Sequence, residues 1–110
     1  MTFEEYQKFT KSTASYPTEN GLNLMYTTLG LAGEAGEVTD KMKKVIRDKG
    51  GVINEETRYE LAKELGDALW YISQLSAELN LTLDEVAEAN IKKLKSRIAR
   101  GTVHGDGDNR

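Results

Sequence analysis

The sequence has no cysteine, which excludes disulfides, thiolate nucleophiles and cysteine-ligated zinc and suits a reducing compartment. One proline and an aromatic content of 7% speak against a sandwich or barrel and for a soluble helical protein. No apolar run approaches the length of a membrane span. The N-terminus, MTFEEYQKFT, is acidic and amphipathic where a signal peptide would be basic and then apolar, so the expected location is cytoplasmic, with no membrane partner. Excess positive charge is also missing. The net charge of -3 argues against a nucleic-acid polymer as partner, but leaves room for a small anionic ligand held by a metal ion or a local group of cations.

The 110 residues, 38% of them hydrophobic, suffice for one modest core, and a single all-α domain over residues 1–101 is the expectation. Residues 102–110, TVHGDGDNR, have no packing pattern and read as a disordered tail in which the only histidine, His104, is inert.

Local signals mark four helices. Thr2 and Glu5 have capping-box spacing ahead of Phe3, Tyr6 and Phe9, predicting a first helix to about Ala14, before Pro17. A second, long pattern runs from about Gly21 to Lys49 and stops at Gly50-Gly51. Asn54, followed by Glu55 and Glu56, opens a third helix that continues to about Leu79, with Asn80 as its C-terminal cap. Thr82 and Glu85 repeat the capping-box spacing and start a fourth, ending at Gly101.

Stepping about 100° per residue assigns the faces. On the third helix Leu61, Leu65, Leu69, Ile72, Leu75 and Leu79 form one stripe, flanked by Glu60, Glu64, Asp67 and Tyr71. The second helix is apolar on two sides, with Leu22, Met25 and Leu29 on one, Leu31, Val38, Met42 and Val45 on the other, and Glu34 and Glu37 between them. A helix of that kind needs neighbours on both sides. The expected architecture is therefore a four-helix bundle-like protomer assembling into a homo-oligomer, either a dimer or a dimer-of-dimers tetramer. Trp70 points away from the third helix's stripe and is expected at a subunit interface.

A single acidic residue on a helix is ordinarily surface charge. Glu34 and Glu37 are three apart, as are Glu64 and Asp67, and each pair lies hard against apolar residues, in GLAGEAGEV and ELGDALWYI. Brought together without a cation, carboxylates at about 4 Å repel by roughly 1–4 kcal/mol per pair. A metal ion is the natural compensation. All-oxygen ligation suits Mg²⁺, with Mn²⁺ as a substitute, and the absence of histidine from the pairs disfavours zinc, copper and a bundle-type di-iron centre. Glycines at 30, 33 and 36 weaken the helix that carries Glu34 and Glu37, and are explained either by close helix approach or by room for a ligand.

These residues resemble the all-α nucleotide pyrophosphohydrolases typified by MazG, a family that includes dCTP pyrophosphatases and dimeric dUTPases. The likeness rests on Glu34-Ala35-Gly36-Glu37, then 26 intervening residues, then Glu64-Leu65-Gly66-Asp67, and it runs from about residue 21 to residue 98. It implies hydrolysis of nucleoside triphosphates to the monophosphate and pyrophosphate, in a house-cleaning role. The four carboxylates would hold Mg²⁺, and one of them, not distinguishable by sequence, would help to activate water.

On the fourth helix Asn90, Lys93 and Arg97 lie within about 60° of one another by the same stepping, at one edge of the apolar face. Alone they read as a basic helix terminus suited to the macrodipole. The resemblance implies contact with phosphate or ribose, and it gives Tyr71 a place against the nucleotide. Lys41 and Lys44 are weaker candidates. Two alternatives remain open: a phosphoribosyl-ATP pyrophosphohydrolase, which shares the bundle and the acidic motif, and a non-catalytic helical oligomerisation module.

Overall fold

The computed structural model describes residues 1–110. It is all-helical, without strands: α1 spans Phe3–Thr13, a short 3-10 turn Glu19–Gly21, α2 Leu22–Lys49, α3 Glu55–Glu78 and α4 Leu83–Arg100. No helix is long and apolar enough to cross a membrane.

The helix ends follow the local chemistry. Thr2, Asn54 and Thr82 have extended backbones and accept from the N–H of Glu5, Thr57 and Glu85, and Glu85 returns a bond to Thr82 N, completing a capping box. Gly50 and Gly101 adopt left-handed conformations that close α2 and α4, and Asn80 does so just after α3. The turn Glu19–Gly21 was not expected. Asn20 takes φ 56°, a conformation asparagine tolerates, and Gly21 at φ 77° then leads straight into α2.

Three pairings give the direction of the central hairpin. Asn23 bonds to Glu78, Gly30 meets Tyr71, and Lys49 bonds to Thr57, so α2 and α3 run antiparallel along most of their length. This is the most extensive contact in the protomer. α1 crosses α3 on another side, where the buried Thr10 and Ser73 hydroxyls meet at 2.7 Å and Trp70 Nε1 donates to Thr13 Oγ1 at 2.8 Å. α4 packs on α1 and on α3 and makes no close backbone contact with α2.

The buried positions are largely polar. Thr10, Thr27, Thr57 and Ser73 are the most enclosed side chains, and only Val45 and Leu83 represent the apolar core. Gln7 explains part of this: its Nε2 donates to the carbonyls of Leu81 (3.0 Å) and Ser73 (3.4 Å), and its Oε1 accepts from Leu83 N, so one amide joins α1 to the turn between α3 and α4. Much of the apolar stripe of α3, including Leu65, Leu69, Ile72 and Leu79, is exposed in the protomer, as are Leu24, Met25 and Leu29 on α2. A compact chain of 12.3 kDa exposes about 6,100 Å², whereas this one exposes 8042 Å². Its radius of gyration is 16.9 Å, against about 13 Å for a compact domain of this length. The protomer is an open arrangement around one long hairpin.

Candidate metal and nucleotide site

Antiparallel pairing brings the two acidic pairs to the same level of the hairpin. One carboxylate oxygen each from Glu34, Glu64 and Asp67 lie within 4.8 Å of one another. Glu34 and Glu64 are half-buried and Asp67 is exposed. Burial pushes the Glu34 carboxyl above its ordinary range, and the charges of Asp67, Glu64 and Glu37 push it further in the same direction. Lys41 Nζ, 3.5 Å from Glu64, answers part of that charge. Three converging oxygens with uncompensated charge fit a hard cation that takes oxygen ligands.

Glu37, the fourth predicted ligand, is exposed and lies outside this trio. It lines a neighbouring cleft of about 260 Å³ together with Asp40, Lys41, Lys44, Lys49 and Glu60. The cations there are engaged in part: Lys44 lies 2.7 Å from Asp40, and Lys49 bonds to Thr57 at 2.9 Å.

Tyr71 stands beside the trio, at the wall of a pocket of about 380 Å³ lined by Glu34, Asp67, Trp70 and Tyr71. Its ring covers Gly30, where a Cβ would fall 2.1 Å from Tyr71 Cε1. Close approach thus accounts for Gly30, while Gly33 and Gly36 face open space. Burial, then Tyr26, then the Glu34 and Asp67 charges raise the Tyr71 hydroxyl's pKa, so it remains a proton donor.

Trp70, expected at a subunit interface, is held within the chain: its indole is tied to Thr13, packs edge-on against Tyr71 with centroids 5.0 Å apart, and forms part of the acidic pocket's wall. Stepping around a single helix took no account of α1, which crosses at this level. Tyr16 and Tyr26 extend the aromatic group, stacked at 5.3 Å, and were missed because their proximity arises from the loop before α2. Behind them, Tyr16 and Asn23 donate to Glu78 and hold its carboxyl below the usual range.

The α4 residues form a separate group. Asn90 and Lys93 line a groove of about 420 Å³ along that helix with Leu81, Glu85, Val86 and Ala89. Lys93 and the buried Arg97 both donate to the carboxylate of Asp108, in the terminal segment, and hold that carboxyl below its usual range. Their helix makes no close backbone contact with α2, which carries Glu34. His104 is exposed.

The Gene 37 protein of Mycobacterium phage L5 is 46% identical over 114 residues, with all of both chains covered. No solved structure matches the chain. The MazG nucleotide pyrophosphohydrolase domain matches residues 23–101, a stretch holding both acidic pairs and the α4 cations, and the chain belongs to that family.

Proposed function

We propose that this protein is a Mg²⁺-dependent pyrophosphohydrolase of nucleoside triphosphates, releasing the monophosphate and pyrophosphate and so removing unwanted nucleotides. The observation that carries the reading is the convergence of Glu34, Glu64 and Asp67 within one hairpin of a MazG-family chain. Bound there, Mg²⁺ would supply charge neutralisation at phosphate oxygens and a water of lowered pKa. Glu34, Glu64 and Asp67 would hold the ion. Glu37, exposed at the adjoining cleft, serves as a further ligand or as the group that takes a proton from water. The Tyr71 hydroxyl donates towards the nucleotide, and its ring with that of Trp70 offers a surface on which a base can stack.

Asn90, Lys93 and Arg97 provide the amide and cations suited to phosphate or ribose. Since α4 makes no close backbone contact with α2, the reading includes a homo-oligomer, a dimer or tetramer, in which the exposed stripes of α2 and α3 pack and the two groups approach across subunits. The large exposed apolar surface supports this.

The test is incubation of the purified protein with each canonical and modified nucleoside triphosphate and Mg²⁺, with the products identified. Monophosphate plus pyrophosphate, lost in Glu64→Gln and Asp67→Asn, is the expected result. Orthophosphate as product, or turnover that persists in both variants, would sink the proposal.

A further inference from the structure

The cations of α4 already have an anion. Lys93 Nζ donates to Asp108 Oδ1 at 2.8 Å, and Arg97 Nη2 donates to the same oxygen at 3.2 Å and to the Asp108 carbonyl at 2.6 Å. Arg97 is only 6% exposed, and its Nε is buried with no partner. A guanidinium enclosed to this degree normally has its donors matched, because an unmatched buried donor is costly. Asp108 thus fills the position of an anion without saturating it. A phosphate group, with more acceptor oxygens arranged around one centre, can engage the Lys93 ammonium and both edges of the guanidinium.

The segment that delivers Asp108 is held lightly. The chain reverses at Gly101 and Gly107, both with left-handed φ, and Thr102 N bonds to the Arg97 carbonyl at 2.8 Å. Beyond that, Arg110 donates to the carbonyls of Thr102, Val103 and Gly107, and Arg100 Nη2 to the Arg110 carbonyl. No apolar side chain of residues 102–110 is buried. A segment fastened by polar contacts near the surface opens far more readily than the helices it rests on.

We infer that residues 102–110 form an autoinhibitory latch: Asp108 occupies a phosphate-type anion subsite made by Lys93 and Arg97, and a phosphorylated ligand enters by displacing it. The inference rests on the reading of those two cations as phosphate-binding groups. The latch lowers apparent affinity by the fraction of time it stays closed, and its ion pairs, one of them exposed, set an expected effect of about three- to tenfold.

Inorganic pyrophosphate is the probe, titrated calorimetrically into the full chain in metal-free buffer at fixed ionic strength, so that the carboxylates hold no ion to compete for it. Asp108→Ala is expected to bind about three to ten times more tightly than the wild type, and Lys93→Ala to bind more weakly. In parallel, pyrophosphate is expected to lower the ¹⁵N heteronuclear NOE of Gly105 and Gly107 as the segment is released. Equal affinity for wild type and Asp108→Ala, with loss in Lys93→Ala, overturns the latch and leaves the subsite standing. No binding by Asp108→Ala, or binding untouched by Lys93→Ala, overturns the phosphate reading and the latch with it. Lys93 is 38% exposed at its side chain, so its truncation does not threaten the fold.

Discussion

Gly30 and Gln7 act through what a single side chain, or its absence, permits. A methyl group at Gly30 would enter the Tyr71 ring, so Gly30→Ala forces that ring off the acidic pocket or parts α2 from α3. Alanine gains about 1 kcal/mol in helix propensity, but overpacking costs about 1–3 kcal/mol. The expected net result is a loss of denaturant stability that the double variant Gly30→Ala, Tyr71→Ala recovers. Gln7→Leu removes the acceptor for the buried Leu83 N–H and the donor for Leu81 O. It should cost about 1–3 kcal/mol in urea denaturation, and a loss below that range would mean that water replaces the amide. Such residues are poorly legible in sequence. Glutamine in α1 carries no mark of a partner seventy-odd positions away, and the group Thr10, Thr27, Thr57 and Ser73 reads as surface by residue type although these are the most enclosed side chains. Three of the four paired carboxylates come together, Glu64 and Asp67 from one face of α3 with Glu34 from α2, whereas the same spacing of three does not bring Glu37 into the group.

At the scale of elements, sequence and structure agree closely where the determinants are local. Thr2, Asn54 and Thr82 cap the helices they precede, and Asn80 and Gly101 take the left-handed conformations that end them, because a cap is settled within a few residues. Thr82→Ala removes the side-chain half of the capping box at the start of α4, the hydroxyl that accepts from Glu85 N, and should lower stability by about 1 kcal/mol, with helix loss seen first at residues 83–86 in hydrogen exchange. Trp70 shows where this reasoning stops, since its surroundings come from α1, on a different element. A second link between elements is acid-sensitive. Glu78 joins the end of α3 to Tyr16 and Asn23, and those donors lower its folded pKa below the unfolded value. A depressed carboxyl contributes stability above its unfolded pKa and loses it as pH falls through the folded pKa. Between pH 5 and the acid limb, the wild type should therefore lose stability more steeply than Glu78→Gln in parallel thermal melts, and identical slopes would dismiss Glu78 as the source.

The whole molecule is dominated by the mismatch between its apolar stripes and its own core. A sequence pattern identifies an apolar face without saying what covers it, and Leu65, Leu69 and Ile72 on α3, read as a packing stripe, are exposed in the chain. With homo-oligomer formation as proposed, sedimentation should give a mass at least twice 12.3 kDa at micromolar concentration, and Leu69→Glu should shift it towards the protomer. A monomeric wild type would remove the basis for a site shared between copies.

The antiparallel sense of α2 and α3 has a consequence for how such a motif can vary. The chain between Glu37 and Glu64 descends one arm of the hairpin and climbs the other, so its length measures the depth of the hairpin below the carboxylates and carries no chemical information. Adding about seven residues to each arm, about two turns per arm, would restore every side chain to its original heading. A lengthened loop at Gly50-Gly51 would leave the three oxygens where they are. A single residue inserted between Glu37 and Lys49 would instead rotate one arm by about 100° against the other and scatter them, so tolerance to insertion along this stretch is periodic, with whole turns as its unit.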